Sequence, residues 1–278
     1  MRYLLHAQLI AILASGTVTG QETAVPARDV GCIVRSALDY LEGTLTADPD
    51  RVARSAEAGL IPRRVHVLRD GESVLSREPS PASLRSATNL RSPASPVEVV
   101  VFDGDPVVAS ARASTGKGIH LLQLAKLDGK WRIVGVLWSG SDSVTAGPPN
   151  TADSTAIAAL VLEYREARRL GDRERARHTL HPEAIGIAIG RDPATGEGSL
   201  AWIAARELVE PGRPAAGPAG GPRRNVAVTV FDVTHGMAAA RLATAEEVEH
   251  LQLAKLDGRW QIVAVLRAPQ GEPSGTVS

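Results

Sequence analysis

The sequence predicts an α+β protein made of two copies of one domain. Each copy carries about three N-terminal helices packed on a strongly curved, mixed or antiparallel sheet. Three observations lead there. The string LQLAKLDG occurs at 122–129 and again at 251–258, and thirteen of sixteen positions agree between 122–137 and 251–266. The two phenylalanines of the chain, Phe102 and Phe231, are 129 residues apart, the same separation as Leu122 and Leu251. Nearer the start of each half, Ile33/Ile157, Tyr40/Tyr164 and Asp48/Asp172 repeat at a separation of 124. A period this long is a duplicated domain, not a solenoid, and helices followed by a run of strands make an α+β layer.

The domains read as 25–138 and 153–268. Between them lies a Gly/Ser/Thr/Pro-rich linker, 139–152 (SGSDSVTAGPPNTA), and after them a disordered tail, 269–278. The first copy is preceded by Arg2, an apolar stretch at 4–14, and the small residues Ser15, Gly16, Thr17 and Gly20. This is the pattern of a signal peptide over 1–20 and predicts an exported protein, periplasmic or secreted. This stretch of eleven residues, interrupted by His6 and Gln8, is too short to cross about 30 Å of hydrocarbon, so no membrane association is expected after cleavage.

Composition narrows the function. With 31 basic and 31 acidic residues the formal net charge is zero, which removes the simplest case for a nucleic-acid partner. Hydrophobic residues make up 44% but aromatics only 3%, so the cores are built from Val, Leu, Ile and Ala. Cys32 is the one cysteine, so no internal disulfide holds the fold. With Ile33, Val34 and Leu38 beside it, it reads as a small apolar helix residue.

The elements follow in the same order in each copy. Helical spacing runs over 32–45 and 154–170, for example Ile157, Leu160, Val161 and Tyr164, with Ser154 placed to cap the second of these. Asp48 and Asp172 are suited to cap a short second helix, which must end before His181-Pro182 because the residue preceding proline disfavours helix. A short strand comes next, 64–68 or 184–189, and then a third helix, 81–90 or 199–209. Four strands close each copy: 97–102, 107–113, 118–127 and 130–138 in the first, 225–232, 237–243, 247–256 and 259–266 in the second. Asp128-Gly129 and Asp257-Gly258 each join the last two as a type I′ hairpin.

This arrangement resembles the nuclear transport factor 2-like fold, a cone of helices leaning on a bent sheet. Within that superfamily it resembles the family called "putative lumazine-binding". The resemblance rests on three pieces of the second copy: the helix ending in Tyr164 with Gly171-Asp172 after it, the His181-Pro182-Glu183-Ala184 element, and the closing hairpin HLQLAKLDGRWQIV at 250–263. The first copy keeps the hairpin and Tyr40 but reads Glu57-Ala58-Gly59-Leu60 where the His-Pro element would fall. The resemblance implies a working hollow inside the cone, able to take a small apolar or heterocyclic ligand, and no cofactor. It also implies pairing through the sheets, so the two copies are expected to form an internal pseudo-dimer.

Six residues are candidates to line that hollow: Tyr40, Trp131, Tyr164, His181, Trp202 and Trp260. Each has a plainer reading. The tyrosines sit on apolar helix faces and can be core residues whose hydroxyls reach water or backbone. Trp131 and Trp260, just after the hairpin turns, can close the core. Trp202 has no counterpart in the first copy. His181 can bond backbone at a helix end, and its i, i+3 pairing with His178 lacks a third metal ligand.

The enzymatic alternative in the same superfamily is a ketosteroid isomerase or polyketide cyclase, which uses an internal carboxylate as base opposite a tyrosine. Tyr164 fits the tyrosine. The first strand of the second copy, AIGIAI, offers no acid, and Asp232 is the best substitute, although Asp103 and Asp232 sit at hairpin ends where turn capping is the ordinary role. No nucleophile elbow, phosphate loop or metal cluster is present in the sequence. Three readings follow: a ligand-binding module with an apolar cavity, an isomerase or cyclase with a buried carboxylate, or a structural or partner-binding protein with filled cones.

Overall fold

The computed structural model describes residues 27–68, 72–79, 96–140, 151–191, 198–210 and 226–269. The expected signal segment, the expected helix at 81–90 and most of the linker and tail lie outside those residues.

The first domain opens with helix α1 (Ala27–Thr46), whose buried residues Ile33, Ala37, Tyr40 and Leu41 form one stripe at i, i+4, i+7 and i+8. Cys32 lies off that stripe and is exposed, so it is not the core residue expected from its neighbours. Asp48 Oδ1 accepts from the Arg51 amide at 3.0 Å and caps α2 (Pro49–Ser55). Strands β1 (Arg63–Val67), β2 (Ser73–Arg77), β3 (Glu98–Gly104), β4 (Val108–Thr115), β5 (Gly118–Leu127) and β6 (Lys130–Gly140) follow.

The second domain repeats this with α3 (Thr151–Leu170), α4 (Arg173–Thr179), β7 (Leu180–Arg191), β8 (Gly198–Ala204), a single turn α5 (Ala205–Leu208), β9 (Ala227–Thr234), β10 (Met237–Ala243), β11 (Glu247–Leu256) and β12 (Arg259–Pro269). Asp172 caps α4 as Asp48 caps α2, accepting from the Arg175 amide at 3.0 Å. Ser154 is not a cap: α3 starts three residues earlier, and Ser154 falls inside its first turn.

One further expectation needs correction. The helix expected at 199–209 is strand β8 followed by α5, because 198–204 pairs antiparallel with β7, Trp202 opposite Ile187. Strand β2 occupies the same place in the first domain and pairs with β1. Among the described residues the strands therefore form two six-stranded sheets, ordered β2-β1-β6-β5-β4-β3 and β8-β7-β12-β11-β10-β9. The pairs β1/β6 and β7/β12 are parallel; the others are antiparallel. Register shifts at Gln123/Leu124 and Gln252/Leu253, equivalent points of the two copies, mark β-bulges, which bend a sheet. The turn residues Asp128 (φ 49°), Gly129 (75°), Asp257 (48°) and Gly258 (77°) all have positive φ, as type I′ hairpins require.

Each sheet has two working faces. On the helix side of the first, Leu122, Leu124, Trp131, Ile133 and Val136 pack with Ile33, Tyr40 and Leu41. Leu251, Leu253, Ile262 and Val265 likewise pack with Ile157, Val161 and Tyr164 in the second. The opposite faces meet each other: Leu121, Leu137 and Val65 cluster with Met237, Ala254 and Val263. Polar contacts across this seam come in reciprocal pairs. Gln123 Nε2 donates to the His250 carbonyl at 2.7 Å and Gln252 Nε2 to the Leu121 carbonyl at 2.8 Å. Arg112 reaches Asp232 at 3.2 Å, and Arg241 reaches Asp103 at 3.4 Å. The hairpin aspartates take part too, Asp257 accepting from the Ser73 amide and Asp128 from the Gly198 amide, each at 3.3 Å.

Candidate functional site

The site grows out of one row of residues running across three strands. In the second domain Glu249 on β11 stands opposite Arg267 on β12, which stands opposite Ala188 on β7. Alternation along β11 turns His250 and Gln252 to the seam and Glu249 to the helix side, with Leu251 and Leu253. Helix α3 supplies Tyr164 and, one turn on at i+4, Arg168 over the same face.

These side chains make one ionic network. Glu249 is fully buried, and its Oε1 accepts from Arg168 Nη1 at 2.8 Å and from Arg267 Nε at 2.8 Å. Arg267 Nη2 reaches the Tyr164 hydroxyl at 3.5 Å, and the Arg168 guanidinium lies 5.3 Å from the Tyr164 ring centre. Glu247, partly exposed, adds longer contacts of 3.8 Å to Arg168 and 3.4 Å to Arg267. Two atoms stay unmatched: Glu249 Oε2 and Arg168 Nε are sealed from solvent and have no hydrogen-bond partner.

The protonation equilibria follow from this geometry. Burial pushes the Tyr164 phenol up, helped by the Glu249 charge. Burial works against charge on Arg267, yet Glu249, Tyr164 and Glu247 together hold its pKa above the ordinary arginine value. Burial raises Glu247, and Glu249 reinforces it, against the pull of Arg267 and Arg168.

The first domain has the same row with different chemistry. His120 on β5 stands opposite Trp138 on β6, and Trp138 opposite Arg64 on β1. The His120 and Trp138 rings are stacked, 5.4 Å between centroids and 12° between planes, and the Arg64 guanidinium is 4.3 Å from the Trp138 centroid. Burial pulls the His120 pKa down to about 4. Tyr40 holds the place of Tyr164, and burial raises its phenol pKa as well. Where Arg168 stands in the second domain, the first has Thr44, bonded back to the Tyr40 carbonyl at 2.7 Å.

The six expected site residues do not converge. Tyr164 joins the ionic network, and Tyr40 is buried in the first core. Trp131 is buried at the hairpin end with its Nε1 unmatched, whereas Trp260 donates to Asp153 at 2.8 Å. Asp153 and Arg168 are fifteen residues apart on α3, about 22 Å along the helix, so Trp260 lies at the far end from the network. His181 and Trp202 belong to the neighbourhood of the other domain. The charge of Arg63 helps lower His181, after burial, and the Trp202 indole covers Gly59, where a Cβ would come within 2.8 Å of Nε1. Asp232, the substitute base, faces Arg112 across the seam and not the cone. A bulge in β9/β10 lies beside it, and its carboxylate also accepts from the Val233 backbone.

The residues that sequence reasoning missed are Arg168, Glu249 and Arg267. A signal existed. At the position of His120 the second copy has Glu249, a charge at an inward position of a strand otherwise reading V-E-H-L-Q-L-A.

Among the described residues no helix is long and apolar enough to cross a membrane, and no three His, Cys, Asp or Glu side chains group as a metal site. Residues 152–266 match the model of the family described as "Putative lumazine-binding". No curated protein matches the chain. Among solved structures, an NTF2-like protein of unknown function from Shewanella baltica is 22% identical, with 42% of this chain aligned to 98% of that one at a TM-score of 0.36. An NTF2-like protein of unknown function from Silicibacter pomeroyi is 18% identical over 44% of this chain and 99% of that one, TM-score 0.33. A ketosteroid isomerase-like protein from Erwinia carotovora atroseptica is 13% identical over 44% and 100%, TM-score 0.30. The chain is thus a tandem of two repeated α+β domains, each a helix-backed six-stranded sheet, and its second domain, at 152–266, is similar to the "Putative lumazine-binding" family.

Proposed function

We propose that the protein is exported and binds, without catalysis, a small heterocyclic ligand in the cone of its second domain, the two domains acting as an internal pseudo-dimer. One observation supports the ligand most directly. The Arg168–Glu249 ion pair leaves a sealed donor, Nε, and a sealed acceptor, Oε2, both unmatched. Buried polar atoms are ordinarily satisfied, so an unmatched donor and acceptor on one pair call for a partner carrying both groups. A ring lactam, with N–H beside C=O, has that edge, and lumazine, the pteridine-dione of the family description, carries two cyclic amides. The partly exposed Arg267 and Glu247 form the outer end of the network, where such a ring would enter.

Titration with lumazine, followed by its own fluorescence, tests this. Saturable binding with a dissociation constant in the micromolar range is expected, weakened about tenfold or more by Glu249→Gln, equivalent to about 1.4 kcal/mol. No binding near millimolar lumazine, or equal affinity in the variant, overturns it.

A second reading has one observation in its favour: Glu249 brings a buried carboxylate into the cone with Tyr164, linked through Arg267. Moving a proton from C2 to C4 of 3-cyclohexen-1-one, with the Glu249 carboxylate as carrier, would give its conjugated isomer, and an absorbance increase lost in Glu249→Gln would favour the enzyme. Export rests on Arg2 and the apolar run at 4–14. Expression in a bacterial host with the native N-terminus should yield a periplasmic chain shortened near residue 20; an unprocessed cytoplasmic chain ends that part of the proposal.

A further inference from the structure

The two rows differ in where their charge is answered. In the second domain the arginine of the row, Arg267, has Glu249 beside it at 2.8 Å. In the first domain the row runs Arg64–Trp138–His120 and contains no acid. Among the described residues Arg64 forms no ion pair, and its Nε is sealed from solvent with no hydrogen-bond partner. His120 Nδ1 is sealed and unmatched as well. Two residues along β1 from Arg64, His66 Nε2 lies 2.8 Å from Ser76 Oγ and 4.0 Å from Glu78.

We infer that the cone of the first domain binds a small aromatic carboxylate, its anion on Arg64 and its ring against Trp138 and His120. Arg64 is half-buried, its sealed Nε has no hydrogen-bond partner, and a carboxylate is the planar acceptor that its fork fits. One arginine suits a singly charged group. Because burial keeps His120 neutral, it offers Nδ1 to the ligand without adding charge. His120 and Trp138 are both half-buried, and the exposed edges of the stacked pair favour a ring over an alkyl chain. Duplication has therefore given two cones with opposite demands. The second holds its own acid and asks for a neutral ring, while the first asks for the acid itself.

Calorimetric titration of the full chain with 2-naphthoate, against 2-naphthylmethanol as the uncharged analogue, tests this. Naphthoate should bind saturably and at least about tenfold more tightly than the alcohol, a margin of about 1.4 kcal/mol. Arg64→Met should remove that preference, and His120→Phe, which keeps a stacked ring, should weaken naphthoate a few-fold. Saturating lumazine should not displace it. No heat at millimolar naphthoate, equal affinity for acid and alcohol, an unaffected Arg64→Met protein, or displacement by lumazine each overturns the inference. Should Arg64→Met fail to fold by circular dichroism, the comparison of acid with alcohol on the unmodified protein decides alone.

Discussion

Phe102 and Phe231, equivalent residues of the two copies, stack on one another 5.7 Å apart with their planes 16° from parallel. A residue that touches its own duplicate lies on the axis relating the copies, so the pair marks a pseudo-twofold through the seam. The reciprocal bonds of Gln123 and Gln252 and the exchanged ion pairs Arg112–Asp232 and Arg241–Asp103 obey the same axis. One triplet breaks it: Ser110 Oγ lies 2.7 Å from His250 Nδ1, whose Nε2 is 3.4 Å from Asp105. Its counterparts in the other copy are Ala239, Leu121 and Thr234.

The stacked pair predicts a measurable coupling. Phe102→Ala and Phe231→Ala should each destabilise the chain by about 1–3 kcal/mol, short of full core values because both rings are only partly buried. The double variant should cost about 1 kcal/mol less than the sum, because the stacking is lost only once. Urea unfolding of the four proteins reads this. Strict additivity would mean the rings do not interact in solution.

The seam also predicts the behaviour of separated domains. A fragment of 151–269 would expose Met237, Ala239, Ala254 and Val263, all buried against the first domain in the full chain. Such an apolar patch does not stay in water at working concentrations. The fragment should self-associate or bind a 27–140 fragment when the two are mixed, as read by light scattering. Two fragments that remain monomeric and indifferent to each other would remove the pseudo-dimer.

Much of this architecture is legible in the sequence because the strongest local signals are backbone ones. Asp128-Gly129 and Asp257-Gly258 fix two hairpins, and strands 118–127, 237–243 and 247–256 follow with their bounds as expected. Residues 199–209 mislead because S-L-A-W-I-A has no clean period; its strand is imposed by pairing with β7, a long-range contact that local propensity does not encode. The site was hidden for a related reason. Tyr40 and Tyr164 can be read from helix spacing, whereas Glu249, Arg267 and Arg168 matter only as a set brought together across 81 and 18 residues. The tryptophans drew attention by rarity, and rarity does not say where a ring points.

Removing Glu249 tests whether the network carries stability as well as a site. Glu249→Leu would leave Arg168 and Arg267 with only the longer contacts to Glu247, 3.8 and 3.4 Å. Breaking a buried pair from one side costs about 3–5 kcal/mol, while replacing it with well-packed apolar groups is often neutral. Glu249→Leu should therefore lower the urea midpoint strongly, and Arg168→Met added to it should recover a large part. A second substitution that only worsens stability would show that Arg168 has a role apart from Glu249.

Gly118 predicts a cost set by geometry. Its φ is +151°, and a Cβ there would collide with the Ser139 carbonyl oxygen on the neighbouring strand. That carbonyl cannot retreat without breaking the β5/β6 ladder at its end, where Gly118 stands opposite Gly140. Gly118→Ala should destabilise the first domain by about 2 kcal/mol or more, while Gly129→Ala, in open space at the hairpin turn, should cost about 1 kcal/mol from its positive φ alone. Equal effects in thermal melts would show that the contact with Ser139 relaxes freely.

His120 predicts the sign of an acid effect. Its pKa is about 4 in the folded chain and near 6.5 in the unfolded one. Between those values the unfolded state binds the extra proton, so the contribution is complete above pH 6.5 and is lost as the pH falls toward 4. The slope from this one group approaches about 1.4 kcal/mol per pH unit in that window. Glu247 acts in the opposite direction, since its raised pKa makes protonation on acidification favour the folded state. His120→Phe keeps the ring on Trp138 and removes the titration. The difference in stability between parent and variant, from urea unfolding at pH 7.5, 6, 5 and 4.5, should therefore shift in favour of the variant on acidification. A constant difference across that range would mean that the imidazole takes up its proton without leaving the cone.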